Sequence, residues 1–509
     1  MKFNHVKKVL SLCLTCSCIT AMVACNRTGT QSSFDGDLCI GVFDGAVGYE
    51  MVEQIVEMYK AENPDVEIEV RHKKYDTASL LSNMRYNAED IYFGSTDWLP
   101  TLAKSGVIED LTDTVTKKIY DGNGNVAVSG ATKSIQDILW DEWESFCKVD
   151  VNDGKGARFY GIPNFTPVAG LSYDADLFEE KGYAVPETYD ELIDLMNTMV
   201  SDNTVTPITV SGSMSYITDA AMAFWANYEG KNNFMLNTTY SGTDSNLGEI
   251  NLANAYLLQQ QEGRKAYLQF YYDLAHNASY TTTASRGSQT NLDAQDSFVM
   301  SIESGKRVAM IIENSFWERE AKGTIDGMGD KLSAWGWGKR NFKYMIAPVN
   351  KTTDRKTVYM SYPNSYVFVS KFSERKDRAL DFLQFAHSRA SLAAYTVYSG
   401  CLRPYDYTVN ETEYAKATPY TQSLIDLMRR DDVDFVTMGP GNEVARYLST
   451  DYETLWGNMT KIGSTEYRSP YQAFMAKDSL TVDDYFLGYS TYMTKSRYDE
   501  MYQKVLGEN

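Results

Sequence analysis

Several aromatic residues stand next to carboxylate residues at turns where strands of the chain are expected to end. Asp97 and Trp98 are adjacent, and Asp44 and Tyr49 flank a short glycine-containing loop. An aromatic ring offers a flat apolar surface to C–H groups, and a carboxylate accepts hydrogen bonds from hydroxyl groups, so the two together suit a polyhydroxylated ligand. Asp97 could equally cap the helix that starts beside it, and Asp44 and Tyr49 could serve a turn or a cap.

Two further tryptophans, Trp225 and Trp456, fall in segments with a helical pattern. The chain has eight Trp and 37 Tyr, so abundance alone indicates nothing. Trp225 follows the small-residue run 220–223. Both are candidate ligand contacts, and core packing is the alternative, because an aromatic residue at helical spacing more often lies in a core.

The chain lacks the residue spacings of common catalytic and metal centres. It contains neither His-Glu-x-x-His nor Gly-x-Ser-x-Gly, and His72, His276 and His387 are scattered. Segment 121–125 begins like a calcium loop, but Val126 occupies the place of the turn glycine. We therefore predict no metal and no cofactor. A secreted glycoside hydrolase stays open as an alternative, since two of the 68 acidic residues could form its carboxylate pair.

The elements that must position these residues alternate between strands and helices. Strand patterns occupy residues 38–43, 66–70 and 90–93, and a helical pattern occupies 49–62. This alternation predicts an α/β fold with a parallel sheet and helices on both faces. Ligands of such sheets bind beyond the carboxyl ends of the strands, where the loops 44–49 and 94–98 lie.

The second half of the chain carries similar signals. Thr188 and Glu191 form a capping-box pattern at the start of a helix predicted to reach residue 200. The polar stretch 235–248, rich in Asn, Thr, Ser and Gly, predicts a surface loop. Segment 497–506 predicts a C-terminal helix.

The N-terminus has the pattern of a lipoprotein signal peptide. Three lysines precede an uncharged apolar stretch, residues 9–24, which is shorter than the roughly 20 residues of a membrane span. Met22-Val23-Ala24-Cys25 resembles the bacterial lipobox. We predict that residues 1–24 are removed, that Cys25 is acylated, and that 25–37 form a flexible tether. Ordinary secretion, with Cys25 a bystander, is the alternative.

Composition limits the partners and the cross-links. The net charge is −20, which argues against nucleic acid and anionic lipid surfaces as partners. Beyond the signal peptide and Cys25, the remaining cysteines are Cys39, Cys147 and Cys401, an odd number at wide spacing. This predicts buried free thiols, although one disulfide stays possible.

Seven segments between Cys39 and Arg403 carry, by their order and spacing, a resemblance to a known protein family. They are Phe93–Trp98, Ser105–Thr112, Tyr160–Pro163, Leu171–Phe178, Val185–Leu192, Ser304–Phe316 and Lys376–Ala386. In order and spacing the chain resembles the family 1 extracellular solute-binding proteins, the group that includes the maltose-type sugar receptors. The lipobox is consistent with that resemblance.

The resemblance implies a class II periplasmic-binding-protein-like fold, with two α/β lobes joined by a hinge and a ligand cleft between them. Lobe 1 would comprise 38–164 plus 363–405, and lobe 2 would comprise 165–362 plus 406–509. The residues that it places at the hinge or cleft are Asn164, Phe165, Asn314, Phe316, Trp317, Tyr362 and Asn364. Phe316 falls where the family usually has an aromatic platform, and Trp317 follows it.

The function that the resemblance implies is capture of a carbohydrate, in particular an oligosaccharide, and its delivery to the permease subunits of an ABC importer. The protein would be a monomer without catalytic activity. It would face the outside of the cell and be held at the membrane only through the lipid on Cys25. A binding protein for a peptide or polyamine is the main alternative.

Overall fold

The computed structural model describes residues 34–45, 47–74, 77–86, 88–95, 99–127, 129–212, 214–361, 365–439 and 459–507. The predicted signal peptide and most of the predicted tether lie outside the described residues. The described part is a mixed α/β structure with two main sheets.

The strands, in chain order, are β1 (Leu38–Phe43), β2 (Ile68–Lys73), β3 (Ile91–Ser95), β4 (Lys148–Val149), β5 (Arg158–Phe159), β6 (Ile162–Pro163), β7 (Ala169–Asp174), β8 (Val205–Val210), β9 (Gly242–Asp244), β10 (Gly248–Ile250), β11 (Arg307–Asn314), β12 (Phe342–Met345), β13 (Lys356–Met360), β14 (Ser365–Val369), β15 (Val433–Thr437), β16 (Thr460–Ile462) and β17 (Thr465–Tyr467).

The α-helices, in chain order, are α1 (Glu50–Glu62), α2 (Thr77–Arg85), α3 (Leu99–Lys104), α4 (Thr112–Thr116), α5 (Ile135–Ile138), α6 (Asp141–Cys147), α7 (Ala175–Lys181), α8 (Tyr189–Ser201), α9 (Met214–Glu229), α10 (Lys231–Thr239), α11 (Gly263–His276), α12 (Asn291–Val299), α13 (Trp317–Glu320), α14 (Lys322–Lys331), α15 (Lys376–Phe385), α16 (Arg389–Ser399), α17 (Glu411–Tyr414), α18 (Pro419–Met428), α19 (Pro470–Ala476), α20 (Val482–Tyr492) and α21 (Lys495–Gly507). Short 3-10 helices occupy Ala255–Gln260, Ala278–Tyr280, Ala284–Arg286, Met300–Ser304 and Ser333–Trp335.

The first sheet has the strand order β2-β1-β3-β14-β6. Strand β1 runs parallel to β2 and β3, whereas β14 is antiparallel to β3 and β6. The strand predicted at 38–43 is confirmed, and residues 38–42 are buried because the strand lies inside the sheet. Helix α1 buries Val52, Ile55, Val56 and Tyr59, as its 3.6-residue apolar period predicts.

The second sheet has the order β12-β7-β11-β8. Strands β8 and β11 are parallel, and β7 is antiparallel to β11 and β12. Every residue of β8 is buried, as is β11 from Val308 onward, which is typical of strands covered on both faces. Helix α8 begins with the predicted capping box of Thr188 and Glu191.

Residues 164–168, here named the crossing segment, connect β6 of the first sheet to β7 of the second. A second connection leaves β13 at Met360 and enters β14 at Ser365. The two connections touch where Val168 forms an isolated antiparallel bridge with Met360. The exact division of the chain into lobes at these connections stays a prediction.

The polar stretch 235–248 is not a simple loop. Helix α10 extends through its first part, and β9 and β10 form an antiparallel hairpin in the remainder. Leu236, Tyr240 and Ile250 anchor these elements in a small apolar cluster that also contains Tyr498 of the C-terminal helix α21. The loop prediction was wrong because it followed the many polar residues of the stretch and overlooked the few apolar residues that anchor its helix and hairpin.

Cys39, Cys147 and Cys401 are free and buried, which confirms the prediction of unpaired thiols. Burial raises the pKa of Cys39 and of Cys401 to about 12, so these thiols stay protonated and unreactive at neutral pH. None of the described helices combines the length and apolar character needed to cross a membrane.

Candidate functional site

The edges at which the parallel strands of both sheets end flank the crossing segment. In the first sheet, Ser95 at the end of β3 pairs with Ser365, whose carbonyl accepts a hydrogen bond from the N–H of Asn164 (2.9 Å). In the second sheet, Asn314 at the end of β11 pairs with Ala169, directly after the crossing segment. Since ligands of α/β sheets bind beyond such strand ends, this junction is the candidate site.

Three polar side chains, those of Asp219, Asn314 and Ser361, gather on the second-sheet side of this junction. Together with Glu313, the preceding residue of β11, whose Oε2 accepts a hydrogen bond from the N–H of Asn314 (3.4 Å), they are here named the polar cluster. Asp219 Oδ2 accepts hydrogen bonds from Asn314 Nδ2 (3.1 Å) and from Ser361 Oγ (2.8 Å). Ser361 Oγ also lies 2.9 Å from Asn314 Oδ1. The cluster can therefore present both donors and acceptors to a ligand that enters the junction.

The crossing segment holds the cluster in place. The N–H of Ser361 donates to Pro167 O (2.9 Å), and the N–H of Ser315 donates to Val168 O (2.8 Å). Ser315 Oγ in turn accepts a hydrogen bond from the N–H of Val168 (3.1 Å). The ends of β11 and β13 are thus tied to the chain that links the two sheets.

Burial sets the electrostatics of the two carboxyl groups. It raises the pKa of Asp219, although the hydrogen bonds from Asn314 and Ser361 offset part of that increase. The pKa of Glu313 is well above its usual range, first because the carboxyl is buried and then because the carboxylates of Glu320 and Asp219 lie nearby. Glu313 is therefore more readily protonated, and hence uncharged, than an ordinary glutamate.

Glu313 has an unused hydrogen-bonding atom. Its Oε1 is buried and has no hydrogen-bond partner in the described part of the chain. By contrast, Glu320 Oε2 accepts from Asn291 Nδ2 (3.1 Å) and Gln295 Nε2 (2.7 Å). A buried polar atom without a partner is uncommon in a folded protein, and a ligand hydroxyl or an ordered water molecule would supply the missing partner.

The loop after β1 reaches the second sheet's side of the junction. Glu50 at the start of α1 forms an ion pair with Arg319 of α13, and the Arg319 guanidinium lies 5.7 Å from the centroid of the Trp337 ring. Burial opposes ionisation of Glu50, but hydrogen bonding and the charge of Arg319 lower its pKa below the usual value. A second ion pair, between Glu142 and Lys231, links α6 to α10.

Four of the predicted site residues, Asp44, Tyr49, Asn164 and Asn314, belong to the strand ends and connections around this junction. Asp44 donates its N–H to Lys73 O (3.0 Å), and the Tyr49 ring stacks on His72 with centroids 3.6 Å apart. Asn164 is buried and donates from Nδ2 to Ser365 Oγ (3.1 Å). Asn314 belongs to the polar cluster. Contact of these four with a ligand stays a prediction.

Phe165 and Phe316 are buried, with 9% and 8% of their surface exposed. Phe165 belongs to the crossing segment, and Phe316 lies two residues beyond the end of β11. Their position at the junction is the one that the family resemblance implies. Little of either ring is therefore open to a ligand in this conformation.

Trp225 and Trp317 do not fit the predicted role, because neither exposes any surface. Trp225 is packed against Phe234, and the Arg264 guanidinium lies 4.2 Å from its ring centroid. Trp317 donates from Nε1 to Ser172 Oγ (3.1 Å) and packs between aromatic neighbours of the second sheet. Both are core residues, so the prediction that they contact ligand was wrong.

Five predicted ligand contacts and the predicted lipidation site lie outside the described residues: Asp97, Trp98, Tyr362, Asn364, Trp456 and Cys25. The gaps at 96–98 and 362–364 adjoin Ser95 and Ser365, the paired residues at the junction. Ligand contact by Asp97, Trp98, Tyr362 and Asn364 is therefore still a prediction about this same place.

Sequence reasoning missed Asp219, Glu313 and Ser361. Glu313 had a visible signal, because it is the one charged residue between Val308 and Asn314 of a strand that is otherwise apolar until Asn314. Asp219 is likewise the only acid between Ile217 and Ala226 of α9. A lone charge in an apolar element indicates a polar environment made by other elements. In the described part of the chain, no group of three or more metal-ligating side chains is placed to hold an ion.

The chain matches the family model described as "Bacterial extracellular solute-binding protein" over residues 54–423. It is also similar to several solved structures over most of its length. The maltotriose-binding protein of Thermus thermophilus, bound with maltotriose, is 15% identical and has a TM-score of 0.51, with 92% of this chain and 99% of that chain covered.

An ABC transporter solute-binding protein of Thermotoga lettingae, bound with α-D-tagatose, is 14% identical with a TM-score of 0.53, covering 92% of this chain and 99% of that one. The apo form of RafE from Streptococcus pneumoniae is 14% identical with a TM-score of 0.53, covering 90% and 99%. At these identities the likeness shows the fold alone, which is the two-lobe α/β fold predicted from the sequence. The family match extends over more than half of the chain, and the chain therefore belongs to the bacterial extracellular solute-binding proteins.

Proposed function

We propose that this protein captures a carbohydrate at the junction of its two sheets and delivers it to an ABC importer. The observation that carries the proposal is the polar cluster, in which Asp219, Asn314 and Ser361 supply donors and acceptors and Glu313 Oε1 has no partner among the described residues. The family membership and the sugars named for the T. thermophilus and T. lettingae structures support it.

The chemistry of the cluster suits a neutral ligand. Hydroxyl groups both donate and accept, so they can match an amide, a serine hydroxyl and carboxyl oxygens at once. A protonated Glu313 adds a donor without adding charge, because burial raises its pKa. A polyamine would instead need ionised carboxylates, and the raised pKa values of Asp219 and Glu313 disfavour that state.

Closure of the lobes is the proposed signal to the importer. A ligand that contacts both strand edges stabilises the closed arrangement by its greater affinity for that arrangement. The ion pair of Glu50 with Arg319 already connects the loop after β1 to α13, so the two sides are in contact around the junction. We propose that the receptor acts as a monomer without catalytic activity.

The anchor is part of the same proposal. Acylation of Cys25, with residues 25–37 as tether, would hold the receptor at the outer face of the cell membrane beside its permease. A Cys25→Ser variant expressed in a bacterial host should be recovered from the soluble fraction, whereas the unmodified chain should be recovered from membranes. Equal membrane recovery of both chains would contradict lipidation at Cys25.

A thermal-shift screen tests the ligand class directly. The chain without residues 1–25 is heated with mono- and oligosaccharides, amino acids, peptides and polyamines. A ligand at a hundredfold excess over its dissociation constant stabilises the protein by about 2.7 kcal/mol, which raises the melting temperature measurably. We expect a shift with one family of sugars.

The same screen separates the alternatives. A shift with peptides or polyamines alone would contradict the carbohydrate proposal. A sugar that shifts the melting temperature but is shortened during incubation would identify a glycoside hydrolase instead of a receptor. Chromatography of the sugar before and after incubation provides that second readout.

A further inference from the structure

A second cavity lies away from the junction, on the part of the second lobe that the C-terminal helices cover. Its volume is about 430 Å³, within the range usual for small-molecule sites, and none of its lining residues belongs to the polar cluster. Helix α11, the start of α20 and the loop at 348–350 form its walls. We name it the tyrosine pocket after Tyr189, Tyr228 and Tyr272, which line it.

The three rings are held in place by contacts with the protein. Tyr272 packs against His276, with ring centroids 4.1 Å apart. Lys351 Nζ lies 4.7 Å from the centroid of Tyr228, and Tyr189 donates its hydroxyl hydrogen bond to Asp273 Oδ2 (2.7 Å). Rings fixed in this way lose little conformational freedom when a ligand stacks on them.

The two charged side chains that line the pocket, Lys265 and Asp483, are of opposite sign. Lys265 Nζ lies 3.4 Å from Asp483 Oδ1 and 3.3 Å from Glu262 Oε2. Gln269 adds an uncharged amide, whose Nε2 donates to Asp273 Oδ2 (3.0 Å). A cationic ligand would meet lysine side chains and an anionic ligand would meet carboxylates, so the surroundings favour a neutral ligand with flat apolar faces and hydroxyl groups.

We propose that the tyrosine pocket binds a sugar ring as a second carbohydrate site, separate from the site at the junction. This rests on the proposed function only for the class of ligand, because the pocket shares no residue with the polar cluster. Flat C–H faces of a pyranose would lie on the partly exposed rings of Tyr228 and Tyr272, and its hydroxyl groups would pair with Gln269, Lys265 and Asp483.

The pocket depends on a part of the chain beyond the family match, which ends at residue 423. Thr481, Val482 and Asp483 close one side of it. A capping box between Thr481 and Asp484 fixes the start of α20 and therefore the position of that wall. The C-terminal segment thus adds a binding surface to lobe 2 that the matched region alone does not form.

The test uses the chain without residues 1–25 and two named probes, maltotriose and D-tagatose. Saturation-transfer NMR detects weak binding of each sugar to the unchanged protein, to Asp219→Ala, and to Asp219→Ala combined with Gln269→Trp. The tryptophan fills the pocket, whereas the aspartate change weakens the junction site by about 10- to 100-fold, so each sugar is used at a concentration that leaves the weakened junction site largely empty. We expect Asp219→Ala to keep a weak saturation signal with at least one sugar, and the combined variant to lose it.

Two further variants guard against misfolding. Tyr272→Ala in the Asp219→Ala background should also abolish the residual signal. Leu487→Trp in that background should leave the signal intact, because Leu487 is exposed on α20, the helix whose start forms a wall of the pocket. Circular dichroism and melting temperature establish that each variant is folded.

The outcomes distinguish the two proposals. If Asp219→Ala binds neither sugar, the second site is contradicted while the junction site is not. The same holds if adding Gln269→Trp to Asp219→Ala leaves the residual saturation signal unchanged. A further protein carries Gln269→Trp alone; if it binds neither sugar although the unchanged protein does, the pocket is the site and the junction proposal fails. Absence of binding by both sugars in every variant contradicts the pocket as a site for these sugars.

Discussion

Replacing Arg403 with leucine is expected to lower the free energy of unfolding by about 3 kcal/mol or more, because three carbonyl groups would lose their buried donor. Arg403 is fully buried. Its Nε donates to Asn164 O (2.6 Å), Nη1 to Ala386 O (3.1 Å) and Nη2 to Pro163 O (3.2 Å). Urea unfolding followed by circular dichroism and by tryptophan fluorescence measures the change.

The surroundings of Arg403 explain the size of this effect. Its guanidinium lies between two tyrosine rings, 4.8 Å from the centroid of Tyr395 and 5.1 Å from that of Tyr405. Its Nη2 is also 2.7 Å from His387 Nε2, and burial together with the Arg403 charge lowers the pKa of His387 well below its usual value. The neutral imidazole can therefore accept the hydrogen bond from Arg403.

The control is an arginine that is exposed to solvent instead of buried. Arg430 forms an exposed ion pair with Asp432 (2.7 Å), and Arg430→Leu should change the free energy of unfolding by no more than about 0.5 kcal/mol. Similar midpoints for Arg403→Leu and Arg430→Leu would show that Arg403 does not anchor the start of the crossing segment. Non-coincident transitions by the two probes would show that unfolding is not two-state, and the two variants would then be compared by their midpoints.

Elements with a regular apolar period were predictable from the sequence. The strand at 38–43 and the buried face of α1 are confirmed because each pattern is local and repeats at a fixed spacing. The helix after Thr188 is confirmed because its capping box is also local. The C-terminal helix predicted at 497–506 is present as part of α21.

Residues whose role depends on other elements were not predictable. Trp225 and Trp317 have the residue type of a ligand platform, but helices and strands distant in sequence bury them completely. Asp219 and Ser361 meet Asn314 only because α9, β13 and β11 converge at the crossing segment. The spacing of residues along the chain does not predict that these three elements meet. The isolated charge of Glu313 in an apolar strand could have indicated a polar site there.

Replacing Asp219 with alanine is expected to weaken binding of the sugar identified by the thermal-shift screen by about 10- to 100-fold, which corresponds to the loss of one hydrogen bond to a charged or strongly polar group. Asp219 is the acceptor that orients both Asn314 Nδ2 and Ser361 Oγ, so its removal also releases two neighbours. Because Asn314 Nδ2 and Ser361 Oγ lose their acceptor in this variant, its melting temperature is measured beside its affinity, so that a loss of binding is compared only among folded proteins. Isothermal titration calorimetry measures the dissociation constant.

Glu313 is expected to make the affinity for the sugar depend on pH. Because its folded pKa lies well above the usual range, Glu313 keeps its proton as the pH rises past the usual glutamate value and loses it only at higher pH. A donor to the sugar is lost in that step, so affinity should fall as the pH rises through the folded pKa. Glu313→Gln keeps an uncharged donor of similar shape, and its affinity should be the less dependent on pH.

The matched control is Asp326→Ala, which removes an exposed carboxylate paired with Lys322 on α14. It should leave the dissociation constant unchanged. If Asp219→Ala binds the sugar as tightly as Asp326→Ala, the polar cluster does not hold the ligand, even if the protein is a sugar receptor. If Glu313→Gln follows the same pH profile as the unchanged protein, the unpaired Oε1 does not meet the sugar, and the site lies nearer to the first-sheet edge, beside residues 96–98 and 362–364.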